Sequence, residues 1–160
     1  MSRAFPVIDG LRFASERGEL QGCLPLAAFP RLAEMGVRTD EGVAFSLRGG
    51  TSPLGKPSLR VQARGVLEMT CQRCLAPVAV PLAVESELEL SESEAAIAAA
   101  DDEIDRVLAG PAMPVARLVE DEVLLALPMV ARHEHCTPRA EGPDDAGSPF
   151  AALAALKRGR

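Results

Sequence analysis

The chain contains no Trp and no Tyr, and it has only five Phe, two His and four Cys in 160 residues. Base-stacking platforms of the kind that read single-stranded RNA are therefore poorly provided for. No apolar run approaches the roughly 18 residues of a membrane-spanning helix, so no membrane role is expected. The opening "MSRAFPVIDG" lacks a charged start followed by an apolar stretch, and no secretory leader is expected. Four cysteines without an export signal point to reduced thiols rather than a disulfide framework, and hence to the cytoplasm. Also missing are a G-x-S-x-G elbow, a P-loop and a dinucleotide fingerprint, and the carboxylates fall in a run instead of in spaced pairs. No catalytic constellation is visible, and the expectation is that the protein is not an enzyme.

Apolar residues make up 48% of the chain, but 26 of them are Ala; 20 Leu and 13 Val must carry most of the packing. The length suits one domain able to bury its own core without staples. Net charge is −6, unevenly spread: residues 85–122 hold 12 acidic side chains against Arg106 and Arg117 alone. An acidic segment thus sits within a mildly basic body. Attraction to a polyanion by bulk charge is not expected, whereas a local basic face remains open.

Short extended segments are expected around "FPVI" and "ELQG", and a helix over 25–35, with Pro30 in its middle and Gly36 as its stop. "GVAFSLRG" has strand alternation that Gly49-Gly50 should end. Two long alternating runs, 58–69 and 77–90, flank "CQRCLAP" and read as an antiparallel hairpin with cysteines at its tip; Gly65 suggests a bulge. Residues 91–112 should be a mobile acidic loop or weak helix. "MPVARLVEDEVLLALPMV" predicts a helix over 114–127, with Val115, Leu118, Val119 and Leu125 on its apolar face and Glu120, Asp121 and Glu122 partly in solvent. A flexible tether over 137–147 and a short helix from Ser148, with Phe150 and Leu153 on its stripe, complete the chain. The fold class is α+β: an antiparallel β-sheet with a long cysteine-bearing hairpin, packed against a few helices.

Metal-capable residues are paired. Cys71-x2-Cys74 is followed, after a long gap, by His133-x2-Cys136, with His135 alongside. Two x2 pairs from separate segments make many structural zinc sites, and thiolates with an imidazole suit Zn²⁺. The gap is far longer than in a compact zinc ribbon, so the fold would have to supply proximity. Two other readings stay open: small semi-buried cysteines with exposed histidines, and a thiol redox pair, although the thioredoxin-type motif opens a helix rather than joining antiparallel strands. Cys23 reads as a buried small residue. Arg60 and Arg64 share a strand face, Arg73 sits at the hairpin tip, and these three, with Arg132 and the terminal "KRGR", are candidate phosphate contacts.

Taken in order, "LEMTCQRCLAPV", "LVEDEVLLALPMVARHEHC" and "SPFAALAALKR" resemble the YceD-type large ribosomal RNA subunit accumulation proteins of bacteria and plastids. The blocks cover about a quarter of the chain, and Ser148 stands where that pattern usually has Asn. The resemblance implies a non-enzymatic role in synthesis, processing or stability of 23S ribosomal RNA and in large-subunit assembly. Partners would be a pre-ribosomal particle, through the RNA or a ribosomal protein. It marks Cys71, Cys74, Glu120, Asp121, Glu122, His133 and Cys136 as positions of interest. The competing function is a metal- or thiol-dependent redox enzyme acting at Cys71 and Cys74.

Overall fold

The computed structural model describes residues 5–100 and 103–138. In chain order the elements are β1 (Val7–Ile8), α1 (Gly10–Ser15), β2 (Glu19–Leu24), α2 (Pro30–Glu34), β3 (Val43–Thr51), β4 (Pro57–Thr70), β5 (Pro77–Ser91), α3 (Glu94–Ala98), β6 (Arg106–Leu108), β7 (Met113–Pro114) and α4 (Val115–Ala126). Strands β2 to β6 form one sheet in sequential order, antiparallel except that β6 runs parallel to the end of β5; β1 and β7 make a separate two-stranded ribbon. The architecture is α+β, as the sequence pattern predicts.

The β4–β5 hairpin is the spine. Its register runs unbroken from Ser58↔Glu89 to Thr70↔Pro77. The bulge expected at Gly65 does not form: Gly65 pairs with Leu82, and Leu67 is buried on the same face as Leu59, Val61 and Ala63. That face carries Phe45 and Leu47 of β3 and Leu82 and Leu88 of β5, and α4 covers it with Val115, Leu118, Val119 and Val123. The opposite face is open to solvent along most of its length, which gives the strict alternation of a sheet wet on one side.

Several sequence expectations shift. Leu125 does not join the apolar face of α4 and is 80% exposed. At about 100° per residue it falls beyond Leu118, at the rim of the buried arc, and Val123 takes the inward position. Glu120 and Glu122, expected partly in solvent, are buried. The helix over 25–35 is split by Pro30 into a 3₁₀ turn, Leu26–Ala28, and α2. Proline has no N–H to continue a helix but suits its first position, so it restarts one. Strand β3 does not stop at Gly49-Gly50. Gly49 lies under α1, where a Cβ would collide with the Phe13 carbonyl, and glycine is what allows strand and helix to approach. Within the acidic segment, the described residues include α3 and β6, so it contributes a strand to the sheet. The tether beyond Pro138 and the terminal segment from Ser148 lie outside the described residues.

Candidate metal centre and basic face

At the hairpin tip the chain turns over Cys71–Ala76. Leu75 donates its N–H to the Cys71 carbonyl, and Cys71 donates to Ala76, closing the turn. Leu75 takes a positive φ of 62°, a left-handed conformation that L residues adopt at a cost. The segment after α4 comes back to this tip, where the Gln72 N–H bonds the Ala131 carbonyl at 2.9 Å. Cys71, Val78 and Ala131 form a small buried cluster, separate from the main core, with Met69, Cys74, Val80 and Cys136 against it.

This return brings the two x2 pairs together. One ligand atom each from Cys71, Cys74, His133 and Cys136 lies within 4.8 Å of every other. The Cys71 and Cys136 sulfurs stand 3.8 Å apart, and Cys74 Sγ is 3.4 Å from His133 Nδ1. Two thiolates on one tetrahedral zinc, with bonds of about 2.3 Å, stand about 3.8 Å apart, so the residues present fit the ion. His133 takes the imidazole position, as the x2 spacing suggests, and His135 is exposed.

The electrostatics match the geometry. The Cys71 thiol is drawn down from 9.0 to about 5, first by the backbone N–H of Cys74 and then, against its burial, by those of Arg73 and His133. A sulfur that accepts backbone N–H bonds is stabilised as the thiolate, the form that binds metal. Cys136 moves up, chiefly through burial and then through its sulfur neighbours Cys71 and Cys74. Among the described residues this is the group with metal-site geometry. Cys23, expected buried, is instead exposed, its thiol 3.2 Å from the Glu41 carbonyl oxygen.

The arginines are placed by the same hairpin. Arg60 and Arg64 both project from the open face of β4. Arg60 stands between Arg48 and Glu87, with its guanidinium 3.5 Å from the Glu87 carboxylate. Arg64 has Ala44 and Ala83 as cross-strand neighbours. Arg73 is at the other end, donating to the Cys136 carbonyl at 3.4 Å. The hairpin therefore does not carry one continuous basic patch: Arg60 is matched in charge, and Arg64 is the more open cation.

Among the described residues, the most heavily bonded carboxylate is one whose partner the sequence did not reveal. Glu120 accepts the backbone N–H of Arg31 (2.7 Å) and Leu32 (3.1 Å) with Oε1, and Arg31 Nε (2.9 Å) with Oε2. Arg31 Nη2 is 2.6 Å from Asp121 Oδ1, and Asp121 first, then Glu120, hold the guanidinium above its ordinary pKa. The carboxylate thus caps α2 from α4. The pair is 89 positions apart, and no local pattern signals it.

Comparison with known proteins matches residues 59–157 to the family of the large ribosomal RNA subunit accumulation protein YceD. The chain belongs to the YceD family. The match spans the hairpin, the acidic segment, α4 and the return to the tip, so every candidate metal ligand lies within it. The family is named for accumulation of the large ribosomal RNA subunit. No solved structure matches this chain. Among the described residues, no helix is long and apolar enough to cross a membrane.

Proposed function

We propose that this protein is a non-enzymatic factor supporting synthesis, processing or stability of 23S ribosomal RNA during large-subunit assembly in the cytoplasm, and that zinc fastens its hairpin tip. The observation that carries the reading is the convergence of Cys71, Cys74, His133 and Cys136 at one point of a YceD-family chain. Four protein ligands close a zinc site, leaving no position for substrate, so the ion would act as a structural staple. Cys71 and Cys74 would hold it from the hairpin, and His133 and Cys136 from the return segment. The stapled tip would present Arg73, with Arg60 and Arg64 along the strand, toward RNA phosphate or a ribosomal protein of the pre-ribosomal particle.

One observation favours the thiol-redox alternative: the lowered Cys71 thiol. Against it, Cys71 is fully buried, whereas a nucleophilic thiol must reach a disulfide. The test is metal analysis of untagged protein, followed by restoration of 23S ribosomal RNA in cells lacking the protein. About one zinc per chain is expected, lost in Cys71→Ser/Cys74→Ser together with 23S accumulation. A metal-free chain that restores 23S RNA fully would overturn the staple, and turnover of a disulfide substrate would establish the redox reading. Charge reversal of Arg60, Arg64 and Arg73 together, with the fold intact, should weaken association with pre-ribosomal particles; unchanged association would remove the arginines from the interface.

A further inference from the structure

The outer edge of β5 is unusual in its length. Strand β5 runs for 15 residues, but β6 pairs with only Glu89–Ser91; among the described residues no strand pairs with the outer edge of Pro77–Leu88. Such an edge presents a row of unpaired backbone donors and acceptors, and natural proteins usually blunt it. Here the blunting is uneven. Pro77 and Pro81 lie in the half near the tip, and proline fits a strand where its nitrogen faces away from the ladder, so those two positions offer no outward donor. No proline occurs between Leu82 and Leu88.

We infer that the edge of β5 over Leu82–Leu88 is a docking site for a Lys/Arg-rich extended peptide segment, which adds as a strand in line with β6. Three observations select this occupant. First, the edge pairs: β6 already occupies its last three residues in regular register. Second, the side chains beside the free edge alternate in character. Val84 and Ser86 are half-buried on the core side, and Glu85 and Glu87 lie on the open side. A strand added there would place small apolar side chains next to Val84 and cations next to Glu85 and next to Glu87, which Arg60 approaches only to 3.5 Å from the inner side. Third, the surroundings are acidic, with Glu92, Glu94, Glu103 and Asp105 all exposed in the adjoining connection. Along this outer edge, away from Arg60 and Arg64 on β4, the carboxylates disfavour a nucleic acid strand. A second copy paired edge to edge would bring its own Glu85 and Glu87 against these, which like-charge pairing disfavours. Recognition by strand addition draws affinity from main-chain bonds and selectivity from alternate side chains, and the pattern here asks for alternating basic and small apolar residues.

The proposal does not depend on the metal or on the RNA contacts. Its test uses the full chain and a fluorescent octapeptide of alternating Lys and Val, with two control peptides: one in which Glu replaces Lys, and one with alternate backbone nitrogens methylated. Binding is expected for the first, with losses of at least about tenfold for both controls and for a Glu85→Lys/Glu87→Gln chain whose denaturant midpoint is otherwise retained. Amide exchange at Ala83, Glu85 and Glu87, whose N–H groups face outward, should slow when the peptide is bound. Equal binding of the methylated peptide would reduce the effect to bulk charge and overturn the proposal. So would protection of the outward-facing amides of Ala83, Glu85 and Glu87 in the chain alone, which would mean that a segment of the chain itself or a second copy already fills the edge. Preference of the same edge for a single-stranded RNA octamer would overturn it equally.

Discussion

The two ends of the β4–β5 hairpin are held by different physics. Toward its base, Leu59, Val61, Ala63 and Leu88 share one continuous apolar core with Val115, Val119 and Val123 of α4. At its tip the buried cluster consists of Cys71, Val78 and Ala131. Fully burying a Leu or Val contributes about 1.5–3 kcal/mol, so the base is stable on packing alone. Three small residues cannot do the same for the tip. The thiols and imidazole lie where the apolar core runs out, and that is where a metal ion would add most. The fold and the candidate metal site should therefore be separable by experiment.

The largest effect should come from the base. Leu59→Ala removes a fully buried side chain between sheet and helix and should cost about 3 kcal/mol, read as a fall in urea midpoint with the slope retained. If the tip is independent, the folded fraction should keep whatever zinc content the unsubstituted chain has. Glu120→Ala should come next, at about 2 kcal/mol: it strips the cap from α2 and leaves Arg31 facing Asp121 alone, a loss moderated by the partial exposure of Arg31. Cys71→Ser acts at the tip. Amide exchange over 70–78 should speed up about tenfold, equivalent to 1.4 kcal/mol of local opening, while β3 and the base of the hairpin keep their protection. Equal loosening at both ends would refute the comparison. The smallest effect runs the other way: Leu75→Gly relieves a left-handed backbone and should stabilise the tip by up to about 1 kcal/mol, because Leu75 is half-exposed and gives up little packing.

What could be read from the sequence follows the range of the forces involved. The hairpin was legible because alternation is local, and the 58–69 and 77–90 limits fall within one residue of the observed strands. The grouping of Cys71, Cys74, His133 and Cys136 was legible from residue type and x2 spacing, although only the fold supplies the return from His133 to Cys74, 59 positions away. The family resemblance, resting on three short blocks, agrees with the residues matched. Less legible were features created by long-range packing. Gly49 looks like a strand terminator until α1 is laid against it, and β6, three residues long, is too short to show alternation within its acidic surroundings. Glu120 reads as a solvated charge because the backbone it caps belongs to a distant turn. The arginines had the right face but not their neighbours, since Glu87 reaches Arg60 only through the register of the completed hairpin.

The separation between the two halves of the cysteine cluster also sets a timetable for the newborn chain. Cys71 and Cys136 are 65 positions apart, and β1 finds its partner only once Met113 and Pro114 have been made. At about 5–20 residues per second of synthesis, the first two thiols wait roughly 3–13 s for the last one. The hairpin can close in microseconds once Ser91 is available, so the tip turn would exist, with Cys71 and Cys74 poised, long before its other ligands leave the ribosome. During that interval the pair is open to oxidants and to loosely held metal. If zinc fills the cluster, its capture would be among the last steps of maturation, and a shortage of zinc or an oxidising shock should then harm newly made protein more than the standing pool.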